Sequence, residues 1–191
     1  MYDAIEDPYC YPGTTVLKNL LDVRDQDTLT ELEAVLTAAR ADEPLPVGRL
    51  SVSQYVAIHH HLFQDVYPWA GKYRTVRISK DGSAFCYPEN IAREMKELFA
   101  SLRNWNFLHG LPREQFAAEA AAFLSTLNAI HPFREGNGRS QTTFITLLAE
   151  QADHALDLDR LVPEQFLAAM VASFKGDDRP LEQQLLLLVG Q

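Results

Sequence analysis

The chain has 191 residues, a formal net charge of −9 and two cysteines. That length is enough for one domain with a substantial core. An acidic balance without any basic run argues against a general nucleic-acid binder, and two cysteines in a chain of this size read as reduced thiols rather than a disulfide framework.

Residues 1–7, Met-Tyr-Asp-Ala-Ile-Glu-Asp, are acidic and lack the basic and apolar parts of a secretory signal. The longest apolar run, residues 185–189, is far too short to span a bilayer. The expectation is a cytoplasmic protein without a membrane role, with specialised secretion left open. Thr28-Leu-Thr-Glu31 and Ser51-Val-Ser-Gln54 read as capping boxes opening amphipathic helices. Residues 41–48, with Pro44 and Pro46, read as a surface connection. His59-His60-His61 invites a metal reading, but neighbours on a helix point about 100° apart, so the three cannot converge on one ion. A helix face partly buried and partly solvated is the better account. Tyr67-Pro-Trp69-Ala-Gly71 reads as the packed entry to the one persuasive β signal, residues 73–86. There Thr75, Val76, Arg77 and Ile78 lead to Asp81-Gly82, a strong hairpin turn. Pro88, Pro112 and Pro163 stand where a first helical turn tolerates proline. Residues 112–130 are Ala-rich with Phe116, Phe123, Leu124 and Leu127 at helical spacing, which predicts a central buried helix. No internal repeat, low-complexity tract or second domain is visible, and neither glycine-rich nucleotide loop (Gly-x-x-x-x-Gly-Lys-Ser/Thr or Gly-x-Gly-x-x-Gly) occurs.

The densest chemistry is His131-Pro-Phe-Arg-Glu-Gly-Asn-Gly-Arg139. A histidine with an ordinary pKa of about 6.5 can take a proton from a hydroxyl at neutral pH, which makes His131 a candidate general base. Glu135 offers hard oxygens of the kind Mg²⁺ accepts alongside water and substrate phosphates. Gly136 and Gly138 are expected to adopt backbone conformations closed to other residues, so that N–H groups converge on an anion. Asn137 adds an amide between them. From Gly138 onward a helix is expected, with Phe144, Leu147 and Leu148 on its apolar side; its N-terminus would face a phosphate. Arg139 places a permanent forked cation there. A zinc pair from His131 and Glu135 is disfavoured, because Pro132, Gly136 and Gly138 interrupt the helix it would need.

Taken together these residues resemble the core motif of the Fic family, His-x-Phe-x-Asp/Glu-Gly-Asn-Gly-Arg-x-x-Arg, with matches at positions 131, 133, 135, 136, 137, 138 and 139. Leu127-Asn-Ala-Ile130 is similar to the family's lead-in helix, Tyr11-Pro-Gly-Thr14 to the start of its short bacterial members, and residues 69–90 to its flap. The resemblance implies a mostly α, Fic-type helical bundle with one short β-hairpin beside the active site. It also implies one domain over residues 1–191, with core helices and motif at about 50–155 and the flap at about 72–88. It implies transfer of AMP from ATP, with Mg²⁺, to a Ser, Thr or Tyr hydroxyl of another protein. In that scheme His131 deprotonates the target, Glu135 holds Mg²⁺, Gly136, Asn137 and Gly138 line the anion hole, and Arg139 pairs with the phosphates. Arg77, Ile78, Ser79, Lys80, Asp81 and Gly82 would dock the target along a strand edge. Phe133 would be a packing residue.

One position departs from the pattern: Thr142 stands where the family has its second arginine. Loss of one charge-assisted contact costs about 1.5–3 kcal/mol, or roughly tenfold to hundredfold in nucleotide affinity. Three readings stay open: another cation among Arg134, Lys72, Arg74 and Lys80 covers the far phosphate, the donor is a different nucleotide or phosphate-linked group, or the protein is an attenuated or inactive nucleotide binder. Gly138, where a kinase-type relative has lysine, argues against γ-phosphate transfer. The family's inhibitory sequence, Ser/Thr-x-x-x-Glu-Gly/Asn, is at neither terminus. The resemblance then implies a separate antitoxin that carries the helix, an implication weakened by Thr142. Self-association is a further family trait.

Overall fold

The computed structural model describes residues 7–80 and 82–190; Asp81 of the expected Asp-Gly turn, and residues 1–6 of the acidic start, lie outside them. The described residues form α1 (Gln26–Ala41), α2 (Val52–Phe63), β1 (Ser79–Lys80), β2 (Ser83–Ala84), α3 (Pro88–Asn104), α4 (Arg113–Ile130), α5 (Asn137–Gln151), α6 (Pro163–Phe174) and α7 (Arg179–Leu188). The fold is mostly helical with one short antiparallel hairpin, the class expected from the periodicity.

Local chemistry sets the helix ends. Ser51 caps α2 by accepting the Gln54 N–H at 3.3 Å, as its sequence predicts. α1 begins earlier than the Thr28 box implies: Asp25 is the cap, and its Oδ2 takes both the backbone N–H (2.9 Å) and the hydroxyl (2.7 Å) of Thr28. An ionised carboxylate is the stronger acceptor for an orphan N–H, so the helix starts at Gln26 and Thr28 lies inside its first turn. Pro88 and Pro163 open α3 and α6, while Pro112 is the residue just before α4.

The chain forms two compact units. In the first, the described residues up to Ile91 join Pro132–Ser140, and α1 packs on α2. Its core holds Leu29, Tyr55, Ile58, Phe63, Val66, Tyr67 and Phe133. The hairpin is shorter than the extended run 73–86 suggests, with Ser79 opposite Ala84 and Lys80 opposite Ser83 and no third strand among the described residues. Arg74 explains the short ladder. It is buried, and its guanidinium donates to the Val76 carbonyl (2.7 Å) and the Cys86 carbonyl (2.5 Å). Beyond the Phe85 N–H bond to the Ile78 carbonyl (3.2 Å), this side chain links the two arms.

In the second unit, from Ala92 to His131 and from Gln141 onward, α4 packs against α6 and α7. Phe116, Phe123, Leu124 and Leu127 of α4 are all buried, which is the apolar stripe its sequence displays. Phe99, Phe123 and Phe144 form an aromatic cluster with centroids 5.2–5.7 Å apart. Among the described residues no helix is long and apolar enough to cross a membrane.

Candidate active site

α4 ends at His131, which takes a left-handed conformation (φ 47, ψ 63) while its N–H closes on the Leu127 carbonyl at 3.0 Å. Left-handed backbone is uncommon outside glycine and stops a helix abruptly. The chain therefore leaves the helix at the residue that carries the imidazole. The Nδ1 atom lies 3.3 Å from the Asn128 carbonyl, an acceptor only, so the proton is assigned to Nδ1 and the lone pair to Nε2. That tautomer suits a general base acting through Nε2.

The loop after His131 is held by its own residues and by α2. Asn137 accepts the Phe133 N–H through Oδ1 (3.0 Å) and donates to the Phe133 carbonyl through Nδ2 (2.9 Å). Its buried amide thus clamps the loop. What Asn137 can offer an anion is its backbone N–H in the first turn of α5. Helix geometry leaves the early N–H groups of α5 without intrahelical acceptors, so they form a concentrated donor set beside Glu135. Ser140 ties off that turn by bonding the Gly136 carbonyl through its N–H and hydroxyl.

The two glycines differ. Gly136 has φ +80, and a Cβ there would be driven into the Phe63 ring. Gly138 is exposed, is not left-handed, and an added Cβ would meet nothing within 4 Å. The expected backbone freedom is therefore needed at Gly136 alone. Gly136→Ala is expected to cost about 2–5 kcal/mol through combined strain and overpacking, whereas Gly138→Ala should leave the melting temperature within about 3 °C. Thermal unfolding of the two variants checks this.

Sequence reasoning treated His59 as part of a mixed helix face, and the structure gives it a sharper place. The ring is fully buried between Phe63 and Phe133, with centroids 4.8 and 3.7 Å away. Its Nδ1 accepts the Gly71 N–H (2.8 Å), which leaves Nε2–H to donate to the Glu135 carbonyl (3.0 Å). Burial pushes its pKa down to about 3, so the ring is neutral. His60 and His61 bond the Ala70 and Arg40 carbonyls, and no group of three or more His, Cys, Asp or Glu able to hold a metal occurs among the described residues.

The Glu135 carboxyl is pushed up by burial, opposed by the Gly136 N–H bonded to its Oε1 at 3.0 Å, with Glu33 adding to the rise. A desolvated carboxylate of this kind gains from a cation. One such ligand completed by water and phosphate oxygens fits the coordination Mg²⁺ takes. Glu135 also lines a cavity of about 320 Å³ with Glu33, Tyr67, Arg134, Gln26 and Thr30.

Arg139 lies on α1. Its guanidinium stacks on Phe63 at 4.6 Å, donates to the Thr37 hydroxyl at 3.1 Å, and forms an ion pair with Glu33. Glu33 was not visible as a site residue, although it shares the Leu29-Glu33-Thr37 stripe that α1 turns inward. A carboxylate in a buried stripe is the signal that could have found it. Of the four cations offered in place of an arginine at 142, Arg74 is enclosed by hairpin carbonyls and the buried Arg134 is paired with Asp7 at 2.6 Å. Lys72 is exposed and Lys80 is partly exposed on β1. In the hairpin Arg77 pairs with Glu89 (3.0 Å) over the Tyr87 ring, and Ile78 is buried. Arg77 stays exposed in that pair, so the accessible positions among the described residues of this stretch are Arg77, the partly exposed Ser79 and Lys80, and Gly82. Thr142 is half-buried in the first half of α5.

The Fic/DOC family profile matches residues 49–149. The chain is 48% identical to the probable protein adenylyltransferase y4lH of Sinorhizobium fredii over 189 residues, covering 98% of each. It is 37% identical to the protein adenylyltransferase VbhT of Bartonella schoenbuchensis, covering 92% of this chain and 37% of that protein. Among solved structures, the BepC protein of Bartonella tribocorum with bound AMPPNP aligns with a TM-score of 0.84 at 27% identity, covering 95% of this chain and 96% of that one. The N-terminal Fic domain of a Bartonella quintana effector with bound ADP aligns at 0.83 and 30% identity, covering 95% and 94%.

Proposed function

Because the chain belongs to the Fic/DOC family, we propose that it is a protein adenylyltransferase, moving AMP from ATP to a Ser, Thr or Tyr hydroxyl of another protein. The observation that carries this reading is an unbroken motif from His131 to Arg139 in a chain that aligns end to end with a relative named for that activity. His131 Nε2 takes the proton of the target hydroxyl. The hydroxyl oxygen then attacks the α-phosphorus in line, a new P–O bond forms, and the bond to the β-phosphate breaks to release pyrophosphate. First-turn N–H groups of α5 and Arg139 meet the phosphate oxygens as charge shifts toward the leaving group. Gly138, which the fold does not require, leaves space for that approach. Glu135 would hold Mg²⁺, which when bound would supply charge neutralisation on the phosphates. A target segment lies along the hairpin edge at Ser79 and Lys80, paired through backbone groups with little sequence selectivity.

The wider setting is proposed on the same basis: a cytoplasmic toxin of the short bacterial kind, restrained by a separate antitoxin helix and able to self-associate. The test incubates the native chain and Mg²⁺ with a bacterial lysate and ATP labelled at either the α- or the γ-phosphate. Label entering a protein band from the α position alone is the expected result, and transfer from the γ position overturns the reading in favour of a kinase-type activity. Thr142 supports a second reading, an attenuated nucleotide binder. Under it the native chain transfers no label, and Thr142→Arg both tightens Mg-ATP binding by roughly tenfold to hundredfold and restores transfer. Unchanged affinity in that variant rules out the second reading.

A further inference from the structure

We propose that Glu33 is a positioning residue for Arg139, holding the guanidinium so that one edge faces the nucleotide phosphates; this rests on the adenylyl-transfer reading above. Leu29, Glu33 and Thr37 recur every four residues and form the inward stripe of α1. The Glu33 side chain is only 13% exposed. Both of its oxygens are engaged, Oε1 by Arg139 Nη2 and Oε2 by the Tyr67 hydroxyl. Thr37 directs its own hydroxyl proton into the helix, onto the Glu33 carbonyl at 2.7 Å. Its oxygen lone pair is therefore aimed outward, at Arg139 Nη1. The Phe63 ring lies under the guanidinium plane at 4.6 Å.

Three groups from α1 and α2 thus define the position, the plane and the rotation of one planar cation. Two of an arginine's five donors are committed to α1, and the others remain on a side chain that is still 40% exposed. A flexible arginine must lose rotamer freedom when it grips a phosphate. One already docked has lost it, which amounts to about threefold to tenfold in affinity. The alternative, that Glu33 withholds Arg139 from the ligand, fits less well: a carboxylate bonded at both oxygens and set in a buried stripe is not poised to withdraw. Tyr67 reinforces this. It is buried against Phe63 and Trp69, and its hydroxyl is kept protonated first by burial and then by the Glu33 charge, so it remains a donor to Glu33.

The experiment measures Mg-ATP affinity by titration calorimetry for the native chain, Glu33→Gln, Arg139→Ala and the double variant, with melting curves on each. Glu33→Ala is run in parallel. Glutamine keeps the shape of Glu33 and an acceptor for Tyr67, so it guards against a result due only to unfolding. Expected are at least tenfold weaker binding in Arg139→Ala, about threefold to tenfold weaker binding in Glu33→Gln, and less than a twofold effect of Glu33→Gln once Arg139 is gone. Equal losses in both backgrounds, no loss in either, or tighter binding in Glu33→Gln each overturn the proposal while leaving adenylyl transfer intact. Arg139→Ala binding as tightly as the native chain, or a native chain that does not bind Mg-ATP, overturns the parent reading and this proposal with it.

Discussion

His131→Asn is expected to lower adenylyl transfer by about 10²–10⁴-fold, the range a positioned general base supplies, while melting close to the native chain. Asparagine is the informative replacement because of the backbone at this position. His131 is left-handed, and asparagine is among the few residues that tolerate that region with little cost, whereas alanine adds about 1–2 kcal/mol of strain. The backbone bond to the Leu127 carbonyl survives, and an asparagine amide can still reach toward the Asn128 carbonyl where Nδ1 now lies. What disappears is the imidazole lone pair. Label incorporation measured beside the melting temperature separates the two effects. Transfer above a tenth of native in a folded His131→Asn would remove His131 from the base role.

The motif was legible because its chemistry is contiguous: nine residues carry imidazole, carboxylate, turn and cation, and proximity along the chain guarantees proximity in space. Helix identity was legible for a related reason, since Phe116, Phe123, Leu124 and Leu127 repeat at the helical period whatever packs on them. Boundaries were harder. Asp25 and Thr28 are both good caps, and only the geometry decides that the carboxylate wins. The Asp81-Gly82 turn marked the hairpin but not its length, and the Arg74 guanidinium bonds the Cys86 carbonyl twelve residues further along the chain.

The supports of the site could not be read locally. His59 reaches the Glu135 carbonyl across 76 residues, and Arg139 reaches Glu33 across 106. Nothing in His-His-His distinguishes the ring that is sandwiched from the two that cap nearby carbonyls. Glu33 differs from the exposed Glu31 only by lying in register with Leu29 and Thr37. Asn137 was assigned to the anion by its place between glycines, yet its side chain closes on Phe133, four residues back. For Glu135 and Arg139 the motif residue is visible in sequence, whereas His59 and Glu33, which hold them, are not.

His59 is where that orientation should matter most for stability. His59→Ala removes a fully buried ring and strands both the Gly71 N–H and the Glu135 carbonyl. The expected loss is about 3–5 kcal/mol, a fall of roughly 6–20 °C in melting temperature for a chain of this length. The same ring carries an acid signature. Burial, chiefly, with the Arg139 and His60 charges, holds its pKa at about 3, against about 6.5 in an unfolded chain. Below pH 6.5 the unfolded chain takes up a proton that the folded one refuses. The stability from this residue is therefore complete above 6.5 and declines as pH falls toward 3, by at most about 1.4 kcal/mol per pH unit. Glu135 works in the opposite sense, because burial raises its pKa and the folded state is favoured by protonation there. Comparing the native chain with His59→Phe isolates the histidine: phenylalanine keeps the stack with Phe63 and Phe133 and has nothing to titrate. Denaturant unfolding between pH 7 and pH 4 should converge for the two proteins as pH falls, the native chain losing its advantage at that slope. Parallel curves would mean that His59 takes up its proton in the folded state, and the neutral bridge between Gly71 and Glu135 would have to be abandoned.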